Sequence, residues 1–211
     1  RLNPITQHTP KPLLKIKNLT LLEHCINLIK NLNINKILIN SFYLKEQINE
    51  FVKNYNYDIE IKVIEDGNNI LDTGGGVLNL IDKSDEENFL IFNPDTIWNK
   101  NYAHEINHMI NLYFDQKLKN ILLLVNKDLS FDKNLKGDFG LENNLINKNY
   151  KDYIYTGCQI LNKSVLKNEK ITNFSITKIW LNLIENRKLN GFESKIKFYH
   201  ATNLEIFKKL E

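Results

Sequence analysis

The sequence predicts an α/β domain built on a mostly parallel sheet. Segments with strand patterning alternate with segments of helical period along most of the chain. Two strand segments, NFLIFN (88–93) and NILLLVN (120–126), are continuous apolar runs, the pattern of strands covered on both faces. A chain of 211 residues with 42% apolar and 25% charged residues can bury one large core.

Each element has its own local signal. In segment 19–32, Leu22, Cys25, Ile26 and Ile29 form a helical stripe, and Thr20 with Glu23 has capping-box spacing. The run KILIN (36–40) is long enough for a strand and too short for a helix. Helical period returns over 43–55, and IEIKVI (59–64) alternates like a strand. After the run at 88–93, a helix is expected over 103–117, then the strand at 120–126. Segment 131–149, rich in Gly, Asp, Asn and Lys, reads as a hairpin or excursion from the sheet. Strands are expected at 153–161 and 195–200 and a helix over 175–187. A last helix starts at Thr202, where Thr202 and Glu205 have capping-box spacing. No repeat or linker divides the chain, so residues 1–211 are read as one domain.

Composition excludes several classes. No apolar run approaches the roughly 18 residues of a membrane span, and no basic–apolar signal segment is present. The net charge of +3 is spread along the chain with lysines alternating among Asn and Glu, which does not indicate nucleic-acid binding. Cys25 and Cys158 both lie in apolar surroundings and read as buried thiols of a cytoplasmic protein rather than a disulfide.

In open α/β sheets ligands sit beyond the carboxyl ends of the strands, so the residues following each apolar run are the ones to inspect. LDTGGGV (71–77) runs straight into a helical segment. Three successive glycines let the backbone approach a ligand, and N–H groups at a helix start suit a phosphate or a base edge. Asp95 follows NFLIFN, where a carboxylate can hold Mg²⁺, a hard cation that prefers oxygen. Lys11 lies between Pro10 and Pro12, which hold it extended and ready to meet a polyphosphate. In YTGCQI (155–160), Thr156 and Gly157 sit inside a strand-like run, and a glycine there marks a close approach or a bulge. His200 ends the 195–200 segment and faces the same cleft.

A further motif, His104-Glu105-Ile-Asn-His108, matches the H-E-x-x-H pattern of zinc proteases. At about 100° per residue, Ile106, Met109, Ile110 and Tyr113 form the buried stripe, and both histidines fall on the opposite, solvent side. The match is read as coincidental.

Taken together, RLNPIT (1–6), PKPL (10–13), LDTGGG (71–76), NPD (93–95), YTGCQI (155–160), FS (174–175) and FYH (198–200) resemble, in order, the motifs of the sugar-1-phosphate nucleotidyltransferases. The resemblance covers the whole chain, and its LDTGGG segment looks like the N-acetylmuramate-1-phosphate uridylyltransferase branch. It implies a Rossmann-like three-layer α/β/α fold of the nucleotide-diphospho-sugar transferase type. It also implies nucleotidyl transfer from a nucleoside triphosphate to a sugar-1-phosphate with Mg²⁺, releasing pyrophosphate. UTP with N-acetylmuramate-1-phosphate, in cell-wall recycling, is the expected pair. Alternatives are mannose-1-phosphate guanylyltransfer, or a nucleotide- or sugar-phosphate-binding relative without catalysis. By resemblance Arg1 and Lys11 handle the phosphates, Thr73 to Gly76 lie along the base, and Thr156 with Gly157 faces the sugar. Asp95 and His200 are the metal positions. A monomer or small homo-oligomer is implied, and a strand and glycine loop are expected before Arg1. Pro94 and His200 depart from the usual pattern, which has a small residue and a second Asp at those positions.

Overall fold

The computed structural model describes residues 2–54 and 58–211. The role expected for Arg1 and the end of the helix expected over 43–55 lie outside the described residues.

A short hairpin opens the fold. Strands β1 (Lys15–Ile16) and β2 (Leu19–Thr20) pair antiparallel through Lys17 and Asn18, both left-handed at φ 52° and 66°. Helix α1 (Leu21–Ile29) then starts with the expected capping box. The Thr20 hydroxyl accepts from Glu23 N (3.0 Å), and Glu23 Oε2 accepts from Thr20 N (2.7 Å). Strand β3 (Lys36–Ser41), helix α2 (Lys45–Asn54) and strand β4 (Glu60–Glu65) follow, and β3 and β4 pair parallel. Helix α3 (Asp72–Ile81) begins in the glycine run. Strand β5 (Asn88–Phe92), helix α4 (Tyr102–Asp115) and strand β6 (Asn120–Asn126) come next. The excursion is a hairpin of β7 (Gly140–Glu142) and β8 (Leu145–Asn147), turned by Asn143 and Asn144 at φ 49° and 62°. Strand β9 (Tyr153–Asn162), helix α5 (Thr177–Glu185), strand β10 (Gly191–Ser194) and helix α6 (Leu204–Leu210) complete the chain.

The main sheet has the order β10-β6-β9-β5; β10 is parallel to β6, and β9 runs antiparallel to both its neighbours. With the parallel β3–β4 pair, this is the mixed α/β architecture expected. Strand β6 shows why there are three layers. Its Ile121 and Leu123 join Leu22, Cys25, Ile26, Ile106 and Met109 of α1 and α4 on one face. Its Leu122 and Leu124 join Ile81, Ile179 and Trp180 of α3 and α5 on the other. Strand β5 has the same apolar run but is only half-buried, and β9 is its one sheet partner among the described residues. A third cluster packs Leu2, Leu14 and Leu21 against Ile206 and Phe207 of α6, anchoring the N-terminal segment.

Both cysteines are buried free thiols on the α1/α4 face, and burial pushes Cys25 up to about 12. Two expectations are corrected. The strand at 195–200 is instead β10 at 191–194, and residues 195–200 form a loop that touches sheet neighbours only through single bridges, Phe198 with Ser130 and His200 with Thr96. The α6 cap is Asn203, whose side chain accepts from Ile206 N (3.0 Å); Thr202 spends its hydroxyl on Asp132 Oδ2 (2.8 Å). No helix is long and apolar enough to cross a membrane among the described residues.

Candidate active site

Strand β5 delivers Asn93-Pro94-Asp95 beyond its carboxyl end, where antiparallel β9 begins. Asn93 N extends the β5–β9 ladder by donating to Gly157 O at 2.7 Å. Beyond it, the 95–97 segment is fastened to the 199–201 loop: Ile97 N donates to Tyr199 O (2.8 Å) and Ala201 N to Asp95 O (2.9 Å). The Thr96 hydroxyl donates to Thr156 O at 2.6 Å and locks this crossing onto β9. These bonds bring Asp95 and His200, 105 positions apart, to one point.

Three of the expected residues meet there. Lys11 Nζ lies 2.7 Å from Asp95 Oδ2, and His200 Nε2 lies 3.2 Å from the same oxygen. Each of the three side chains is about a quarter exposed, at 29%, 25% and 26%. Burial pushes the Asp95 carboxyl up, but the hydrogen bonds and charges of His200 and Lys11 outweigh it and hold the group well below the usual carboxylate range. Asp95 Oδ1 and His200 Nδ1 are buried and have no hydrogen-bond partner among the described residues. The His200 ring stacks on Phe198, 10° from parallel, which fixes its plane.

Lys11 is not extended as expected: it opens a short 3₁₀ turn, Lys11–Leu13, and only Pro10 before it is extended. The segment is held at its base because Leu2 and Leu14 are buried in the third cluster.

The glycine run forms a separate group, and its N–H groups are already used. Gly74 N and Gly75 N both donate to Phe174 O, at 2.9 and 3.2 Å. The glycines are needed for packing. A Cβ on Gly75 would lie 2.0 Å from Thr172 O, one on Gly74 would strike the Phe174 ring, and one on Gly76 would meet Asn40 Nδ2 at 2.9 Å. The Thr73 hydroxyl accepts from Ile176 N at 3.0 Å, so it caps the approach to α5. The expectation of outward-facing N–H groups at positions 74 and 75 is therefore corrected: the 172–176 segment folds over them.

The Thr156 side chain is also spent internally. It is 1% exposed, and its hydroxyl donates to Leu123 O at 2.8 Å, inside the sheet. Gly157 sits at φ +92° beside a register shift between β6 and β9; a Cβ there would meet Asn93 Cβ at 2.9 Å. The close approach that Gly157 permits is to the Asn93 and Thr96 side chains of the same crossing.

Two residues of the same crevice were absent from the sequence reading. Asp138, between Gly137 and Phe139 at the foot of the β7–β8 hairpin, accepts from Tyr155 N at 2.9 Å and lies in the field of His200 and Lys151. The Tyr155 hydroxyl is buried without a partner among the described residues, and its ring meets Trp180 edge-on at 4.8 Å. A lone carboxylate framed by glycines, GDFG (137–140), was the available signal.

The H-E-x-x-H residues are placed as the helical stripe required. His104 and His108 are exposed on α4, their rings 4.2 Å apart. Glu105 Oε1 instead accepts from Lys195 N at 2.9 Å, tying α4 to the loop that leads to His200.

The family model described as Nucleotidyl transferase matches residues 1–128. A bifunctional protein GlmU from Methanococcus vannielii is 30% identical over 92% of this chain and 47% of its own length. One from Methanocaldococcus jannaschii is 39% identical over 46% of this chain and 22% of its own length. The chain thus spans less than half the length of these curated relatives. Among solved structures, HddC from Yersinia pseudotuberculosis complexed with GMP-PN superposes with a TM-score of 0.77 at 18% identity, covering 100% of this chain and 92% of that one. The inositol-1-phosphate CTP transferase from T. maritima also gives 0.77, at 15% identity and 100% and 91% coverage.

Proposed function

The chain belongs to the nucleotidyl transferase family, and from that premise we propose that it transfers a nucleotidyl group from a nucleoside triphosphate to a sugar-1-phosphate. The observation that carries this reading is the convergence of Lys11, Asp95 and His200 at the carboxyl end of β5. In the reaction, a phosphate oxygen of the sugar-1-phosphate bonds to the α-phosphorus, and the bond from that phosphorus to the bridging oxygen breaks to release pyrophosphate. Such a transfer needs positioning and charge neutralisation more than covalent help.

Lys11, kept short of bulk water and aimed by its prolines, attracts the triphosphate. Asp95 fits a divalent cation: Oδ1 is a buried carboxylate oxygen without a partner among the described residues, and Mg²⁺ sites typically combine one or two carboxylates with substrate phosphates and water. When bound, that cation neutralises charge on the phosphates. Imidazole nitrogen is a poor match for Mg²⁺, so His200 serves by hydrogen-bonding Asp95 and orienting its carboxylate. Gly157 admits the sugar against β9, and the α3 start with Thr73 to Gly76 lies along the base once Phe174 gives way. The LDTGGG run favours UTP with N-acetylmuramate-1-phosphate, with mannose-1-phosphate and GTP as the competing pair.

Pyrophosphate release from a panel of triphosphates and sugar-1-phosphates in the full-length protein tests the reading. One pair should turn over, and Asp95→Ala should lower release by at least a hundredfold with the fold retained. Absence of release with every pair leaves a non-catalytic binder and sinks the proposal.

A further inference from the structure

The segment that carries Lys11 is gripped from a second side, by groups to which the reaction as outlined assigns no part. Between its buried anchors, the segment makes a 3₁₀ turn at Ile5–Gln7 and then runs through exposed Gln7 and His8 to Pro10. The carbonyls at the end of such a turn have no partner within it. Here both are taken by side chains from one place: the Tyr43 hydroxyl donates to Gln7 O at 2.8 Å, and Gln47 Nε2 donates to His8 O at 2.9 Å. Tyr43 lies in the loop after β3 and Gln47 in the first turn of α2. Ile48, next to Gln47, is buried at 4% exposure and fixes that turn to the body of the protein.

Tyr43 is otherwise an odd residue to find there. It is 56% exposed, so its ring contributes little burial, and a hydroxyl in that position ordinarily bonds to water. Two adjacent carbonyls held by two side chains four residues apart form a clamp, and only two residues, Thr9 and Pro10, separate His8 from Lys11. Lys11 spans the distance from this clamp to Asp95.

We propose that Tyr43 and Gln47 are positioning residues for the triphosphate, which hold the Gln7–His8 backbone so that Lys11 is presented to the phosphates. This rests on the nucleotidyl-transfer reading above. The two residues touch no reacting atom; they act through Lys11. Because a lysine without this support samples more rotamers and more backbone positions, removing the clamp lowers affinity for the triphosphate and the rate of transfer together.

The test uses the full-length protein with Tyr43→Phe, Gln47→Leu and the double variant, each also combined with Lys11→Ala. Affinity for UTP or GTP, whichever the wild type binds, is read by calorimetry, beside kcat, both KM values and the melting temperature. The double variant should bind the triphosphate roughly five- to tenfold more weakly, the size of two exposed hydrogen bonds lost. The KM for sugar-1-phosphate should stay within twofold and the melting temperature within a few degrees. In the Lys11→Ala background the same substitutions should have no further effect. Triphosphate binding within twofold of wild type overturns the clamp. So does an equal loss with and without Lys11, which would mean the two residues act elsewhere. A wild type that neither binds nor turns over any triphosphate sinks the reaction reading itself, and the clamp with it.

Discussion

Replacing Gly75 by alanine sets two opposed effects against each other, and their magnitudes decide the sign. Gly75 lies inside α3, where alanine is favoured over glycine by about 1 kcal/mol. On helix propensity alone, Gly75→Ala should stabilise the protein. The added Cβ, however, would lie 2.0 Å from Thr172 O and 3.1 Å from Leu71 Cβ, where ordinary contact begins at 3.4 Å. A backbone carbonyl cannot rotate away like a side-chain tip, so the 172–174 segment has to move by more than an ångström. Overpacking of this kind costs about 1–3 kcal/mol. The Gly75 N–H bond to Phe174 O at 3.2 Å goes with it, about 1 kcal/mol more. The net expectation is a loss of about 2 kcal/mol, or about 4–8 °C in melting temperature for a chain of this size. Gly76→Ala is the internal control: the same helix gives the same propensity gain, and the nearest atom is Asn40 Nδ2, the tip of a side chain that can shift. It should stay within about 1 kcal/mol of wild type. Urea denaturation of both variants checks this, and a Gly75→Ala protein as stable as wild type refutes the close-approach account.

Three other outcomes follow from the site. Asp95 has a depressed carboxyl, so its contribution to stability is complete above the unfolded value of about 3.9 and is lost as pH falls from there toward the folded value. The gap in unfolding free energy between wild type and Asp95→Asn should therefore narrow only below about pH 4, and a gap closing above about pH 5 contradicts the assignment. Thr156→Val removes the bond to Leu123 O and should cost about 1 kcal/mol of stability while leaving the sugar-phosphate KM within about twofold; a rise of about tenfold would return the hydroxyl to the substrate. Lys11→Gln removes the cation 2.7 Å from Asp95, so Mn²⁺ alone should bind roughly tenfold more tightly, by electron paramagnetic resonance, even as turnover falls; unchanged or weaker binding refutes the competition.

What the sequence could say depended on whether the signal was local. The Thr20–Glu23 box spans four residues and is present as read, and the β6 run is buried on both faces because Ile121 with Leu123 and Leu122 with Leu124 meet different helices. The NFLIFN run carries the same local signal but is only half-buried, with β9 its one sheet partner among the described residues. Residues 195–200 look like a strand and form a loop because their backbone bonds go to isolated partners at 96–97 and 129–131, which no local pattern encodes. At the site, Lys11, Asp95 and His200 were legible from strand-end position and motif order, and the structure brings them within hydrogen-bonding distance. The Thr156 hydroxyl and the Gly74 and Gly75 N–H groups have partners within the chain, which their sequence signature does not reveal. A polar group beside a strand end or a helix start has the same sequence signature whether a ligand or the chain itself satisfies it.

That last point bears on how the site would work. The charged groups assigned to the substrate already pair within the chain: Lys11 is held by Asp95 and Asp95 Oδ2 by Lys11 and His200, while the Gly74 and Gly75 N–H groups are taken by Phe174 O. A bare lysine and a buried carboxylate left unpaired would each carry a desolvation penalty, so pairing them stabilises the ligand-free fold. A triphosphate would replace one anion beside Lys11 with another, and a divalent cation held by Asp95 would stand in for the Lys11 charge. Charge would then stay balanced, and neither exchange would proceed far without the other. On this reading the triphosphate and the divalent cation bind cooperatively, because each releases the partner that the other needs.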